Sequence, residues 1–409
     1  MKIRIKKTNL IYSAWLFLIL AFDFNIFYLY RSSDKLLGIQ VKDITFLLNI
    51  AFIIWVVAIY FKKIFRNKYR YWMIFFWAIV MGIIGSIQAL KFYHQPLMMG
   101  LQAHRLWLSS LAMYFPLTFL IQNGYYNYSS LKKTIWYFAI ILYTLCTLQY
   151  LFSGVQILKV SSNYNYGSIK FYYDESLMVL LAIMLIAFIY RKHKYEIHKI
   201  FYVLWTFIFL FQITKYRSVS IALILSIGII IFFSRGNILK KVALIMVILI
   251  LGYLFLHSES QLSESIINAI NGQDVSLNVR ENGRLFYFAQ LKNHWLFGKG
   301  YININWRNAY VMGGASKGFY YNDNGIIGVL FYYGIFGVLW YVYINIKCFR
   351  DSFRMKNLYI KDFVRIFLLM NIIVGYTGLP NCFDDTIVFT IFLVILEYQI
   401  GKDKVKSKE

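Results

Sequence analysis

The chain has 409 residues, 60% of them apolar and only 15% charged, and its 43 Lys and Arg against 18 Asp and Glu give a net charge of +25. A soluble protein of this length needs more polar residues to cover its surface, and apolar runs near 20 residues recur throughout, the length a helix needs to cross a hydrocarbon layer of about 30 Å. A soluble globular enzyme, a disordered basic tail and a disulfide-rich secreted domain are excluded, and so is a nucleic-acid binder, because the cations fall in short loops between apolar runs.

In chain order, the first element follows a basic start, Met1-Lys-Ile-Arg-Ile-Lys-Lys7, which superficially resembles a signal peptide. Its apolar run carries Asp23 and Asn25, extends to Tyr30 and lacks a small-x-small cleavage site, so a retained first span is expected. Twelve apolar segments are expected to span, at 9–30, 43–61, 71–90, 107–122, 134–154, 173–190, 200–214, 218–234, 242–256, 326–345, 363–379 and 385–400. Very short links separate 200–214 from 218–234 and 363–379 from 385–400, so a tight hairpin is open to each pair.

The pattern breaks once, at a 69-residue stretch, 257–325, between the ninth and tenth segments. It opens with an amphipathic stretch, Glu259 to Ile270, turns at Gly272 to Ser276, and continues as a helix-like run from Arg280 to Trp295. Phe288, Leu291 and Trp295 recur there at spacings of three and four, and Gly298 and Gly300 are expected to end the run. A loop this long inside a compact chain is usually functional. The fold class is therefore all-α integral membrane, with about twelve transmembrane helices. Spans one to nine occupy 1–256, a large extracytoplasmic loop 257–325, spans ten to twelve 326–400, and a basic cytoplasmic tail 401–409.

Charge orients these spans. With the N-terminus inside, the segments 1–8, 62–70, 123–133, 191–199, 235–241, 346–362 and 401–409 carry 27 Lys and Arg, against 9 in the short outer loops. Cytoplasmic loops are the Lys/Arg-rich ones, so both termini are expected in the cytoplasm of a multi-pass cell-membrane protein. Anchoring to anionic inner-leaflet lipid accounts for the inner charges. Cys146, Cys348 and Cys382 imply no disulfide framework, and no Cys/His cluster has metal-ligand spacing, so neither metal nor cofactor is expected.

The outer cations lack such a reason. Lys215 and Arg217 stand between two apolar runs, where Arg217 either snorkels to headgroups or holds a phosphate through paired charge-assisted hydrogen bonds. Arg280 and Arg284 are four apart, on one helical face, and with Arg105 they complete a candidate outer cationic cluster. Lipid-linked pyrophosphates are the substrate class that needs one: two phosphates at the surface and an isoprenoid tail in lipid. Outer carboxylates are sparse: Asp174, Glu175, Asp323, Asp384 and Asp385 are by default salt-bridge partners of these arginines. His94, His104, His257 and His294 are outer histidines whose ordinary role is structural.

Three stretches in order carry a family resemblance. Thr214-Lys-Tyr-Arg-Ser-Val-Ser220 resembles the T-x-S-R-S/T motif of the O-antigen polymerase and ligase family. Arg284-Leu-Phe-Tyr-Phe-Ala-Gln-Leu-Lys-Asn-His-Trp-Leu-Phe-Gly-Lys-Gly300 resembles its R-x-x-x-W-x-x-A…H-P-L-F-G-x-G stretch, with Trp295 in place of Pro. Asp323-Asn-Gly-Ile-Ile-Gly-Val-Leu-Phe-Tyr-Tyr-Gly-Ile-Phe-Gly337 resembles the H-N-x-x-L…G-x-x-G stretch that opens the span after the large loop. The match covers about 215–340.

The resemblance implies a GT-C-like membrane glycosyltransferase acting on undecaprenyl-diphosphate-linked glycans as donor and acceptor, without metal or nucleotide sugar. Arg217 then holds the donor pyrophosphate, and Arg284 contacts phosphate or sugar. Lys215, Arg280, Arg105, His294 and Asn324 join them as substrate-binding candidates. Asp323 stands where ligases carry His, which favours the repeat-unit polymerases of O-antigen and capsular polysaccharide, and Gly228 fits the R-x10-G pattern after Arg217. Two roles are open to Asp323: catalytic base for the acceptor hydroxyl, or N-cap of span ten on the Ile326 amide. Tyr301, Tyr310, Tyr320 and Tyr321 are eligible to stack on sugars. A chain-length regulator and a flippase are the implied protein partners. Two rival classes stay open: a ligase-type transferase to another acceptor, and a lipid-linked oligosaccharide flippase or transporter, whose folds usually show two similar halves.

Overall fold

A computed structural model describes residues 2–26, 35–36, 39–153, 162–165, 168–192, 196–233, 271 and 275–405. These are all-helical apart from two short antiparallel hairpins, β1 (Lys35–Leu36) with β2 (Ile39–Gln40) and β3 (Ser162–Asn165) with β4 (Ser168–Phe171). The helices before the long loop are α1 (Lys2–Asp23), α2 (Val41–Arg66), α3 (Trp72–Tyr93), α4 (Leu97–Ala112), α5 (Tyr114–Gln122), α6 (Tyr128–Leu151), α7 (Ser176–Lys192), α8 (Ile197–Ile208) and α9 (Arg217–Phe233). Later come α10 (Val275–Leu291), α11 (Ala309–Met312), α12 (Gly325–Phe353), α13 (Leu358–Val374) and α14 (Thr386–Val405). Four stretches, Val41–Arg66, Trp72–Tyr93, Tyr128–Leu151 and Tyr321–Phe353, are long and apolar enough to cross a membrane.

Helices occupy all or most of each expected apolar segment except 242–256, which lies outside the described residues; the first ends at Asp23, with 27–30 also outside them, and the eleventh ends at Val374. The basic segment 235–241 and the amphipathic stretch Glu259 to Ile270 also lie outside them, as do 272–274 of the expected turn. Apolar residues exposed on helix surfaces recur with helical spacing: Ile197, Phe201, Leu204 and Ile208 on α8, and Ile335, Leu339, Val342 and Ile346 on α12. Stripes of this kind suit a lipid solvent. The opposite faces pack: α13 lies along α7 and α9, α3 along α4, and α12 against α3, α10 and α13.

Proline and glycine set the helix breaks. Pro96 precedes α4, so that helix starts ten residues ahead of the expected segment 107–122. Pro116 has no N–H for the carbonyl of Ala112, and the chain breaks there into α4 and α5. The expected run through Trp295 stops sooner, at Leu291, because Asn293 turns left-handed at φ 73°. The second candidate hairpin is not tight: α13 ends at Val374 and α14 starts at Thr386, leaving an eleven-residue connection, 375–385, punctuated by Gly375, Gly378 and Pro380.

Gly298 and Gly300 have another use. Residues 295–301 form a strap laid across α12 where that helix is interrupted at Gly334 (φ 63°, ψ −159°). The amides of Lys299 and Gly300 donate to the carbonyls of Phe331 and Tyr332 at 2.8 and 3.1 Å, and Ile335 N–H donates to Trp295 O at 2.8 Å. The backbone groups freed by the interruption are thus satisfied by the strap, the condition for irregular backbone inside an apolar bundle. A Cβ on Gly334 would stand 2.3 Å from Leu296 O, and one on Gly298 would stand 2.6 Å from Phe331 O.

One end of the bundle is tied by buried carboxylates. Asp351 accepts from Tyr71 Oη at 3.1 Å and Arg70 Nη1 at 3.3 Å, with Lys347 and Arg354 beside it. Glu397 of α14 accepts from the Tyr114 hydroxyl, from Arg70 N–H at 3.1 Å and from Gln122 Nε2 at 3.1 Å. Arg70 therefore ties the start of α3 to the end of α12, while Lys347 and Arg354 pair with Asp351 from within one turn of it. Lipid anchoring alone does not describe them.

Candidate active site

The strap and the 375–385 connection enclose a cavity of about 100 Å3 with α4 and the first turns of α12. That is room for several water molecules, the scale of a single sugar ring. Trp107, Tyr301, Tyr321, Tyr332, Tyr333 and Phe383 form the aromatic part of the wall. Trp107 and Phe383 lie nearly parallel, 11° apart with centroids at 6.2 Å, and Tyr333 is 26° from Trp107. Trp107 Nε1–H donates to Cys382 O at 2.8 Å and so fixes the connection against α4.

Polar groups around this wall are few and directed. His104 joins Gly100 O at 2.8 Å and the Tyr333 hydroxyl at 2.9 Å, and the hydroxyls of Tyr301 and Tyr321 pair at 2.8 Å. Asp384 lines the cavity and is exposed, which places it at the rim. Burial raises its carboxyl to about 6, and the charges of Asp174 and Asp323 add to the effect. Asp385 is also held well above the usual carboxylate range, by burial first, then by Asp174, Asp384 and Glu175, with a hydrogen bond to Asp174 favouring its protonated form. Apolar faces beside carboxyl groups are the two surfaces a sugar presents partners for, C–H faces and hydroxyls.

The expected cations reach this region unevenly. Arg284 of α10 lays its guanidinium over the Tyr376 ring, 4.2 Å from the centroid, and donates through Nη2 to Tyr376 O at 2.8 Å. Its Nε is buried without a partner among the described residues. Asn324 is buried against Gly283, donates through Nδ2 to Tyr320 O at 2.7 Å, and leaves Oδ1 without a partner among the described residues. An unpaired donor and an unpaired acceptor thus flank one joint. Lys215 sits in the link before α9 at φ 53°, a left-handed conformation that costs a non-glycine residue about 1–2 kcal/mol. Burial lowers the pKa of its ammonium. Tyr216, between Lys215 and Arg217, lies within electrostatic reach of Glu175, Asp174 and Asp385. The connection 375–385 is therefore met by Arg284 at Tyr376.

Other candidates stand elsewhere. Arg105 is ion-paired with Asp43 of α2 and donates to Gln102 O at 2.8 Å, although its neighbours Ala103 and His104 line the cavity. Arg280 lies one turn before Arg284 and makes no hydrogen bond or ion pair among the described residues. His294 packs edge-on against Phe92 at 4.4 Å, and burial, then Lys299 and Lys91, push its imidazole down. The N-cap role open to Asp323 is not realised. Asn324 precedes α12, and Ile326 N–H donates to Gly375 O at 2.8 Å. Asp323 lies exposed in the turn Tyr321–Asn324, near enough to Asp384 to raise that carboxyl.

Among the described residues Asp384 and Asp385 form no ion pair, so their default pairing with arginines is replaced by a carboxyl cluster. Tyr301 and Tyr321 line the cavity, whereas Tyr310 and Tyr320 are exposed outside it. Trp107 and Phe383 are lining residues that sequence reasoning missed, and His104, expected to be structural, lines the cavity with them. Among the described residues no three His, Cys, Asp or Glu side chains gather as metal ligands. No known protein-family model matches the chain, and no curated protein resembles it significantly in sequence.

Proposed function

We propose that this protein is a membrane glycosyltransferase, twelve-spanning with both termini in the cytoplasm, that polymerises undecaprenyl-diphosphate-linked repeat units on the outer face of the cytoplasmic membrane. The observation that carries the reading is the aromatic cavity with Asp384 at its rim, set on the same connection that receives Arg284. In this reading the acceptor sugar inserts against Trp107, Tyr301 and Phe383. The Asp384 carboxylate removes the proton of the attacking hydroxyl, the oxygen bonds to the donor's anomeric carbon, and the bond from that carbon to the diphosphate breaks. With a carboxyl near 6, Asp384 is mostly ionised at neutral pH and still basic enough to accept the proton. The diphosphate leaves with the electron pair and is stabilised by Arg284 and Arg217 as fixed cations. Arg284 Nε and Asn324 Oδ1 supply a donor and an acceptor without a partner among the described residues.

The test is a lipid-linked glycan profile of a deletion strain carrying each variant. Arg284→Ala and Asp384→Asn are expected to leave acceptors capped with single repeat units, with turnover down about 10²–10⁴-fold for Asp384→Asn. Polymer of normal length from both variants overturns the site. Long unattached polymer in the deletion strain identifies a ligase instead, and glycan trapped on the inner leaflet identifies a flippase.

A further inference from the structure

A second cleft, of about 410 Å3, lies at the end of the bundle away from Asp384, between the last residues of α7, the start of α13 and the last turns of α14. Arg191 and Lys192, Lys356, and Lys402 bring four cations to it from three separate parts of the chain. The one carboxylate in its lining, Asp403, is engaged through both oxygens, by Lys356 N–H at 2.9 Å and Gln399 Nε2 at 3.1 Å. Arg191 is ion-paired with Asp362, which also faces Arg365. The ammoniums of Lys192, Lys356 and Lys402 form no ion pair among the described residues, and the three residues are exposed. Tyr359 and Asn357 add neutral hydrogen-bonding groups. With Arg191 offset by Asp362 and Asp403 counted, a concave site of this size keeps a formal excess of two cations, matched to a compact, multiply charged anion rather than to a diffuse surface.

We infer that this cleft binds a phosphate group carried either by the headgroup of an anionic lipid or by a soluble phosphorylated compound. The site is independent of the glycosyltransferase reading. In the orientation proposed above, it opens at the cytoplasmic headgroup layer, where anionic lipid attracts Lys and Arg.

The test uses the full chain in nanodiscs of phosphatidylcholine with or without phosphatidylglycerol, read by the phosphatidylglycerol retained after detergent extraction in native mass spectrometry. A parallel arm measures the binding of inorganic pyrophosphate. Lys192→Glu with Lys356→Glu and Lys402→Glu is expected to reduce retention or binding at least about tenfold. An equal charge change on exposed basic-loop lysines, Lys62→Glu with Lys68→Glu and Lys133→Glu, is expected to leave it within about twofold. If the first triple variant does not fold, the Gln versions of the same three positions serve. Selective loss of phosphatidylglycerol assigns a lipid headgroup, and selective loss of pyrophosphate assigns a soluble ligand. Binding of neither probe, or equal loss in both triple variants, overturns the site.

Discussion

At the scale of single residues, Asp384 yields two opposed pH dependences. Its carboxyl titrates near 6 in the folded chain, against about 3.9 in an unfolded one. The folded state therefore binds the proton more tightly. The stability this contributes is fully present below about pH 4 and is lost as pH rises through about 6. Catalysis runs the other way, because the base must be ionised. Between pH 5 and 7 the midpoint of thermal unfolding is expected to fall while the transferase rate rises, and Asp384→Asn is expected to flatten both trends. Asp385 shifts in the same direction, so the stability slope should shrink in the variant without vanishing. A wild-type rate that falls across this range removes Asp384 as the base.

At the scale of elements, the strap and the interruption in α12 are one unit. Each supplies hydrogen-bond partners that the other lacks, so breaking one is expected to loosen the other. Gly334→Ala places a methyl 2.3 Å from Leu296 O at a positive φ and should release the strap, seen as new protease cleavage within 295–301 and loss of polymer. Gly298→Ala should act alike, and the double variant should be little worse than either, because both break one interface. Gly228 in α9 is the contrast. A Cβ there meets nothing within 4 Å, so Gly228→Ala should keep activity and add up to about 1 kcal/mol of helix stability. Loss of activity in Gly228→Ala would mean that the spacing from Arg217 to Gly228 matters for a reason packing does not supply.

At the scale of the whole molecule, the proposed orientation puts the aromatic cavity outside and the basic cleft inside. Single cysteines at the exposed positions 310 and 318 should react with an impermeant reagent added to intact cells, and those at 133 and 356 should not. The native thiols, Cys146, Cys348 and Cys382, are all buried, so the introduced ones report against a quiet background. The reverse labelling pattern inverts the orientation and moves the proposed chemistry to the wrong face. How much of this was legible beforehand differs by region. Arg284 and Asn324 stand in motif-like stretches and meet at one joint. Arg105 looked equivalent in the sequence, but its helix turns it toward Asp43. Asp384 and Asp385 looked like partners for arginines, yet their close neighbours are other carboxyls.

The amino-acid sequence alone determined which segments are helical and that several can cross a bilayer, because an apolar run must satisfy its own backbone wherever it has no water to turn to. The break before Pro116 was not anticipated, since 107–122 was expected as one span, although its cause is local, one missing N–H. The interruption at Gly334, the long connection 375–385 and the aromatic cavity were decided by tertiary structure. Their parts come from α4, the strap, α12 and the connection, which are far apart in the chain, and hydrophobic periodicity reports only which face of a helix is apolar. Which faces meet, and so which carboxyl stands beside which ring or cation, depends on packing between elements.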